Sequence, residues 1–441
     1  MHATQVFARY GAGFSERELP AKVLHHAKRA VIDWHAAVHP GFDTPSVRLL
    51  RKVLRDDLNR GAARLVTGQP ATARAAALIN GTAAHAAELD DSFRDAMYHP
   101  GAATIAAALA AAHSTGATGR AFLRGVVLGY EISTRIGVVL GRDHYRFWHN
   151  TGTVGCFGAA AAAGAILRLR EAPLAHALTL AATFAAGLQQ AFRMDAAAKP
   201  LHAGRAAEAG LLAAQLAADG MTGSLDVLDG DAGFGAAMSH APDWSTVGAT
   251  LGSDFHITRL TFKNHVGCGH AFPAIDGALE LKNRHGLQAA DIGSVRIATY
   301  QPALDIAGHA SPTSADEARF SLRYMVASAL VHGSVRLAAY EPPRLKDPAT
   351  RDLLERITVA ADPELDAAFP GQRAARVDMH LRDGRHLTHL QPMRKGDPEW
   401  PLTDADLENK LLEFATPAIG NDAAHRLLAH LWALDESTAP P

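Results

Sequence analysis

Four clusters of polar side chains interrupt an alanine-rich chain, and each carries groups that can move protons or bind carboxylates. The first cluster contains Glu88, Asp91, Ser92 and His99. Glu88, Asp91 and Ser92 have i, i+3 and i+4 spacing, which predicts that they share one helical face near a helix end. His99 precedes a proline, so we expect an extended backbone and a loop position for its imidazole. The alternative is that the acidic residues only cap and solvate a helix.

The second cluster covers residues 144–153, contains Tyr145 and His149, and leads directly into a predicted helix of small residues. Unpaired N–H groups at a helix N-terminus attract anions. His149 is therefore a candidate ligand for a substrate carboxylate. The alternative is a helix cap surrounded by packed aromatic side chains.

The third cluster is built around Lys199, which lies between alanine and proline residues just ahead of a predicted helix. Burial and the positive end of a helix both disfavour a charged ammonium group. Such a lysine can act as a base toward carbon or hold a carboxylate. An ordinary surface lysine is the alternative.

The fourth cluster contains Lys263, Cys268 and His270, with two glycines, between a predicted strand and a predicted helix. The glycines allow backbone N–H groups to turn inward, and a thiol at a helix N-terminus is activated toward proton transfer. A buried, unreactive cysteine beside a tight turn is the alternative.

Up to residue 250, the elements that must position these clusters are predicted to be helices. No strand is predicted in this part of the chain. Gly81 is interpreted as a packing or hinge position between two of the helices. Apolar spacing, capping residues and glycine stops define the boundaries. The predicted helices cover residues 15–38, 71–80, 83–89, 101–113, 119–140, 152–168, 174–188 and 205–218.

Beyond residue 254 the pattern changes to alternating, β-branched segments. Residues 256–262 and 295–300 are predicted strands, and 375–381 with 386–390 form a predicted hairpin. Helices are predicted at 272–285, 315–332 and 349–357, and again at 402–414 and 422–434. The fold class is therefore mainly α with a second α+β domain. We expect an all-helical domain of residues 1–255 together with 399–441, and an inserted α+β domain of residues 256–398.

Composition excludes several functional classes. The 441 residues carry 43 basic and 45 acidic side chains, a net charge of −2, which argues against nucleic-acid and membrane-surface binding. Cys156 and Cys268 have no zinc-like spacing, and the most apolar stretches fall short of the roughly 20 residues that a bilayer requires.

The N-terminus lacks a signal-peptide pattern, so we expect a cytoplasmic protein. Phosphate-loop, dinucleotide-binding and zinc-protease motifs are missing, which favours catalysis by side chains without a cofactor or metal.

Taken together in chain order, the polar clusters resemble the MmgE/PrpD family over almost the whole sequence. The matching segments are Asn80-Gly81-Thr82-Ala83-Ala84-His85, Asp90-Asp91-Ser92, His99-Pro100, Gly129-Tyr130-Glu131-Ile132, Trp148-His149, Thr151-Gly152-Thr153, Lys199-Pro200-Leu201-His202-Ala203-Gly204, Phe262-Lys263, Cys268, Pro273-Ala274-Ile275-Asp276 and Glu317-Ala318-Arg319-Phe320-Ser321-Leu322. The resemblance implies a helical domain built from both chain ends, a smaller inserted α+β domain, a cleft between them and a homodimer. Members include 2-methylcitrate dehydratase, cis-aconitate decarboxylase and iminodisuccinate epimerase.

The resemblance also implies roles for individual residues. Ser92, His99, His149, Lys199 and Lys263 match polar cleft residues of the decarboxylase-like members. The chain departs from the pattern in three ways. A glutamate, residue 88, stands where aspartate is common, a cysteine, residue 268, stands where those members carry histidine, and the spacing between residues 91 and 99 is one residue longer than usual.

The members share a proton transfer at a carbon beside a carboxylate, and this chemistry requires an enolate-like charge to be stabilised. Because Cys268 replaces an imidazole, we favour epimerisation or isomerisation of a small polycarboxylate. Lys199, Tyr145 and Cys268 are the proton-transfer candidates, with His99 assisting. The residues predicted to bind substrate are Ser92, His149, Lys263, His270, Glu88 and Asp91. A dehydratase and a cis-aconitate-type decarboxylase are alternatives, and a non-catalytic polycarboxylate-binding protein is the contrasting class.

Overall fold

The computed structural model describes residues 1–192 and 197–441, so Asp195, which precedes the third cluster, lies outside the described residues. The chain divides into two compact units. The first contains Met1–Thr261 and Thr403–Pro441, and the second contains Phe262–Leu402. The predicted architecture is confirmed: a mainly helical protein with a smaller α+β unit inserted into the helical one.

Helices dominate the first unit. In chain order its elements are α1 (Ala3–Gly11), α2 (Ala21–Gly41), α3 (Pro45–Val53), β1 (Leu58–Arg64), β2 (Pro70–Ala71), α4 (Ala73–Ala86), α5 (Pro100–Thr115), α6 (Gly119–Tyr145), α7 (Asn150–Thr153), α8 (Gly155–Ile166), α9 (Glu171–Phe184), α10 (Lys199–Ala218) and α11 (Phe234–Met238). Helices α5 and α8 are built almost entirely from buried small residues, which allows neighbouring backbones to approach closely.

The contact between α4 and α10 depends on two glycines. A Cβ added to Gly204 would collide with the hydroxyl of Thr82 and the carbonyl oxygen of Leu78, and one added to Gly81 would lie 3.0 Å from the Gly204 Cα. Helix α4 is continuous through Gly81. The predicted break between residues 80 and 83 is therefore wrong, because Gly81 serves close packing of the two helices.

A short antiparallel ribbon corrects the prediction that no strand precedes residue 250. Strand β1 pairs with β2, with Ala63 opposite Ala71 and Arg64 opposite Pro70. Strand β1 has the sequence Leu-Asn-Arg-Gly-Ala-Ala-Arg. It contains no β-branched or aromatic residue, so local propensity gave no signal for it.

The second unit is built around a four-stranded sheet of order β4-β3-β5-β6, in which β3 is parallel to β4 and antiparallel to β5. The predicted hairpin is confirmed, with Met379 opposite Leu387. The elements of this unit are α12 (Phe272–Arg284), β3 (Ile292–Thr299), α13 (Gln301–Ile306), α14 (Ala315–Arg319), α15 (Leu322–His332), α16 (Pro342–Leu345), α17 (Pro348–Glu355), β4 (Ile357–Ala361), α18 (Pro363–Ala367), β5 (Ala375–Leu381) and β6 (His386–Gln391).

The predicted strand at residues 256–262 is wrong. His256–Arg259 form a 3-10 helix of the first unit, and the division between the units falls after Thr261 rather than after residue 255. The reason is tertiary: the His256 ring stacks on Phe93 at 4.9 Å, and its Nδ1 lies 3.0 Å from the Thr134 hydroxyl.

The chain returns to the first unit with α19 (Asp404–Ile419) and α20 (Asn421–Trp432), and α19 packs against α2. Two ion pairs join these helices, Arg29 with Asp404 and Asp33 with Lys410. In the described parts of the chain, every helix is too short or too polar to cross a membrane.

Candidate active site

Four histidines from separate segments of the first unit lie ring against ring, and we call them the histidine cluster. His85 is in the last turn of α4, His99 and His149 are the residues that precede α5 and α7, and His202 is in the first turn of α10. The His85 ring centroid lies 5.0 Å from that of His99 and 5.3 Å from that of His149. His149 and His202 share a hydrogen bond between their Nδ1 atoms at 3.1 Å.

Hydrogen bonds to the turn after α4 fix two of these imidazoles. His85 Nδ1 lies 2.7 Å from the carboxylate Oδ2 of Asp90, and the same oxygen is 3.6 Å from His99 Nδ1. His99 Nδ1 also donates a hydrogen bond to the carbonyl oxygen of Asp91 at 2.7 Å. Because Nδ1 of His99 carries that proton, Nε2 is the ring atom able to exchange a proton with a substrate.

Lys199 begins α10 and forms a buried ion pair with Glu88; their side chains are only 11% and 6% exposed. The sequence predicted a lysine among apolar neighbours, and the structure adds a carboxylate partner. Glu88 has a left-handed backbone with φ of 56°. Such a conformation is sterically unfavourable for a residue other than glycine, and in folded proteins it concentrates at functional sites.

That conformation explains why one sequence prediction fails. Glu88, Asp91 and Ser92 do not share a helical face, because α4 ends at Ala86 and the chain turns at Glu88. Ser92 is extended, and its backbone N–H and C=O pair with those of Thr261 at 2.9 and 2.8 Å. The turn thereby directs Glu88 toward Lys199.

Burial and neighbouring positive groups lower the pKa of two imidazoles in the cluster, His149 and His202. The pKa of His149 is well below its usual value because of burial, reinforced by His85 and Lys199. For His202 burial and the same two neighbours lower the pKa to about 4. Both rings are therefore neutral at neutral pH. A polyanion bound beside them would favour their protonation, because a nearby negative charge stabilises an imidazolium.

Asp91 lies in a buried hydrogen-bonded network with residues on α5 and α6. Its Oδ2 accepts a hydrogen bond from the Tyr130 hydroxyl at 2.7 Å, and its Oδ1 accepts one from the Gly101 N–H at 3.0 Å. Burial, followed by repulsion from Asp33, raises the pKa of Asp91 to about 8, although the Tyr130 hydrogen bond acts in the opposite direction. Both carboxyl oxygens of Asp91 thus have partners within the protein.

The remaining predicted site residues fall in two places. Tyr145 is half-buried at the end of α6 in the first unit. Lys263, Cys268 and His270 are buried in the second unit. As predicted, Cys268 lies at a helix start, since it caps the 3-10 helix Gly269–Ala271, which leads into α12. His270 Nδ1 lies 3.0 Å from the Tyr300 hydroxyl.

Sequence reasoning gave no role to His85, Asp90, His202 or Tyr130. A signal existed for His202, because it lies three residues after Lys199 and so shares a face of α10. His85 and Asp90 gave only a weak signal, as polar residues in an alanine-rich segment. Tyr130 lies in a segment that carries the family resemblance, but it is internal to α6 and fully buried, and its contact with Asp91 is what gives it a role.

Comparisons with known proteins give matches over most of the chain. The MmgE/PrpD N-terminal domain matches residues 5–247, and the MmgE/PrpD C-terminal domain matches residues 265–436. The chain is 28% identical to the cis-aconitate decarboxylase-like protein oryM of Aspergillus oryzae, over 95% of this chain and 92% of the relative. It is 26% identical to the human cis-aconitate decarboxylase, over 96% and 90% respectively. It is also 33% identical to a 2-methylcitrate dehydratase of Cupriavidus necator, over 27% of each chain.

Proposed function

Because this chain belongs to the MmgE/PrpD family, we propose that it is a lyase that decarboxylates a small unsaturated tricarboxylate of the cis-aconitate type. The observation that carries the proposal is the meeting of Lys199, His99 and His149 in one buried group of side chains. The relatives that match over nearly the full length are named as cis-aconitate decarboxylases or as similar to them, which supports the same choice.

This choice differs from the epimerase that the sequence favoured. The epimerase interpretation rested on Cys268 replacing an imidazole. The relatives described above are named for decarboxylation or dehydration, and none of them is named as an epimerase. Cys268, Lys263 and His270 belong to the second unit, and their roles in substrate binding or proton transfer stay predictions.

Lys199 and the two neutral histidines beside it are proposed to bind the substrate carboxylates. Lys199, His149 and His202 concentrate positive charge or protonatable nitrogen in a buried space. A carboxylate that binds there gains charge-assisted hydrogen bonds in a region with little water. Glu88 sets the position of the Lys199 ammonium group through their ion pair.

The chemical step then needs one acid. The bond between carbon and the departing carboxylate breaks, CO₂ leaves, and the electron pair moves into the adjacent unsaturated carboxylate. Lys199 stabilises the resulting enolate-like charge. The imidazolium form of His99, with its Nδ1–H held by the Asp91 carbonyl, delivers its Nε2 proton to the far carbon, and solvent later restores that proton. One proton is consumed for each CO₂ released, and such general acid catalysis contributes roughly 10²–10⁴-fold.

Asp90 and Asp91 are proposed to position His99 rather than to touch the substrate. The backbone carbonyl of Asp91 accepts a hydrogen bond from Nδ1 of His99, and Asp90 lies on the same side of the ring. This arrangement fixes which nitrogen of His99 faces the substrate.

Dehydration of a 2-methylcitrate-type substrate is the second candidate. The observation in its favour is the 33% identity to a 2-methylcitrate dehydratase, over 129 residues. In that reaction His99 would remove a proton from carbon, and a second acid would protonate the departing hydroxyl. The homodimer, the cytoplasmic location and the independence from cofactors stay predictions.

The test is turnover of cis-aconitate in D₂O, measured by the release of CO₂ and by NMR of the product. We expect one deuterium at the newly protonated carbon. A UV-absorbing unsaturated acid formed from 2-methylcitrate would instead favour the dehydratase. Deuterium exchange without net conversion of a dicarboxylate would favour the epimerase.

His99→Asn should abolish conversion while retaining thermal stabilisation by the substrate, whereas His240→Asn, at an exposed position, should change neither. Stabilisation by polycarboxylates without turnover of any of them would contradict the proposal. It would favour the non-catalytic binding protein.

A further inference from the structure

Three side chains in the histidine cluster and its turn are arranged like the ligands of a metal ion. His85, Asp90 and His99 offer ligand atoms that all lie within 4.8 Å of one another. Asp90 Oδ2 lies 2.7 Å from His85 Nδ1 and 3.6 Å from His99 Nδ1. No spacing motif in the sequence indicates this site, because the three residues come from a helix end, a turn and a helix start.

From this geometry we propose that His85, Asp90 and His99 bind a divalent transition-metal ion of the Zn²⁺ type, and that the bound ion blocks the proposed active site. Two imidazole nitrogens and one carboxylate form a common protein ligand set for Zn²⁺. Ligand bonds of about 2.0–2.1 Å in tetrahedral geometry require ligand atoms about 3.3 Å apart. The separations of 2.7 and 3.6 Å from Asp90 Oδ2 lie on either side of that spacing.

The surroundings favour binding through the Nδ1 atoms. Binding there requires each neutral imidazole to carry its proton on Nε2. His85 Nε2 is buried and has no hydrogen-bond partner among the described residues, so a proton can move to it without breaking a bond there. Asp90 is 1% exposed, and a cation beside a buried carboxylate offsets the cost of its desolvation.

Three protein ligands leave one position of a tetrahedral ion to a fourth ligand. His149 stacks on His85 at 5.3 Å, so it lies close to the three ligands. A water molecule or a carboxylate can complete the coordination of the ion, as in zinc sites with three protein ligands. A free polycarboxylate also binds such an ion in solution and would compete with the protein for it. Metal binding is therefore measured first in the absence of any polycarboxylate.

Blockage follows from the role of His99. A metal on Nδ1 replaces the hydrogen bond from that atom to the Asp91 carbonyl, which otherwise orients the ring. His99 would then be fixed to the ion and turned from its position for proton transfer. This part of the proposal rests on the proposed function, whereas metal binding itself does not.

The experiment measures Zn²⁺ binding by calorimetry and Co²⁺ binding by visible absorption, on the full chain after treatment with a chelator. We expect one equivalent of high-affinity Zn²⁺ and a Co²⁺ spectrum with the intense d–d bands of four-coordinate geometry. His85→Asn and Asp90→Asn should each weaken binding by at least about 10–100-fold, as loss of metal-site contacts does. Unchanged affinity in both variants would overturn the site.

The matched control is the exposed pair His380 and His386, whose rings stack at 4.3 Å across the β5–β6 hairpin and which also resembles a metal-binding pair. His380→Asn should leave the high-affinity binding and the turnover unchanged. Loss of binding in this variant alone would place the ion on the hairpin and refute the proposal. Should His85→Asn fail to fold, Asp90→Asn and His99→Asn carry the same test.

Inhibition is then measured as the loss of substrate turnover on adding one equivalent of Zn²⁺, with recovery on adding a chelator. Metal binding without loss of turnover would retain the site and overturn the blockage. Absence of turnover in the metal-free protein would contradict the proposed function while the Co²⁺ spectrum still decides the site.

Discussion

Lys410 and Asp33 form a buried ion pair, with 2.6 Å between Nζ and Oδ1, although they are 377 positions apart in the sequence. The same ammonium group donates to the carbonyl oxygen of Leu89 at 2.8 Å. Leu89 lies between Glu88 and Asp90, the residues that hold Lys199 and His85. Helix α19 therefore fixes the turn that carries the candidate site.

Lys410→Met should destabilise the protein strongly and reduce turnover. The variant leaves the Asp33 carboxylate buried without its cation, and breaking a buried pair in this way costs about 3–5 kcal/mol of unfolding free energy. The turn at residues 88–90 would also lose an anchor. Urea denaturation measures the first effect, and substrate turnover at a temperature where the variant stays folded measures the second.

The control for Lys410 is Arg284→Met, which removes an exposed pair with Glu280. It should change the unfolding free energy by no more than about 1 kcal/mol. A Lys410→Met protein as stable and as active as this control would contradict the structural role assigned to Lys410.

Lys199→Met should lower kcat/KM by at least about 10²-fold, because the enolate-like charge loses its cation. Lys199→Arg should restore little, since the planar guanidinium cannot occupy the position of a compact ammonium group. Lys199→Met also leaves the buried Glu88 carboxylate without its cation. The double variant Glu88→Gln with Lys199→Met should therefore be more stable than Lys199→Met alone, but just as inactive. Lys52→Met, on the exposed face of α3, is the control. Recovery of activity in the double variant would remove Lys199 from the mechanism.

Tyr130→Phe should cost about 1–3 kcal/mol of unfolding free energy, because the buried Asp91 carboxyl loses a hydrogen-bond donor. That donor holds the pKa of Asp91 down, so its removal raises the pKa above about 8. Folding thus takes up a proton between pH 3.8 and about 8. The contribution of Asp91 to stability accordingly falls as the pH rises through that window.

In Tyr130→Phe the decline should extend to higher pH. Urea unfolding from pH 6 to pH 9 measures it. An identical pH dependence in the two proteins would show that Tyr130 does not tune Asp91.

His144→Gln should flatten the loss of stability in acid. Burial lowers the pKa of His144 from 6.5 to about 4, so the unfolded chain binds its proton first. The contribution of His144 to stability is complete above pH 6.5 and is lost as the pH falls toward 4, by up to about 1.4 kcal/mol per pH unit. The variant should lose this slope even though it also loses contacts to Met238 and Thr153. Equal slopes in both proteins between pH 6.5 and 4.5 would contradict the shifted pKa.

The local sequence pattern is enough to predict the structure of a segment whose conformation depends on its own residues. Alternation in residues 375–381 and 386–390 is enough to predict the hairpin of β5 and β6, and Gly384 between them has the positive φ that such a turn needs. His99 was predicted outside a helix because it precedes a proline, and it is indeed the residue before α5. The β1 ribbon and the 3-10 helix at His256 were missed, because their conformations depend on partners elsewhere in the chain.

The sequence by itself determined a protein of close-packed helices with an inserted α+β unit, since alanine and glycine spacing and turn residues act locally. It also indicated His99, His149 and Lys199 as candidates. Only the tertiary structure decided their partners: Glu88 for Lys199, 111 positions away, and His202 for His149, 53 positions away. The physical reason is that an ion pair or hydrogen bond forms between whichever groups helix packing brings within about 3 Å, and local periodicity carries no information on that distance.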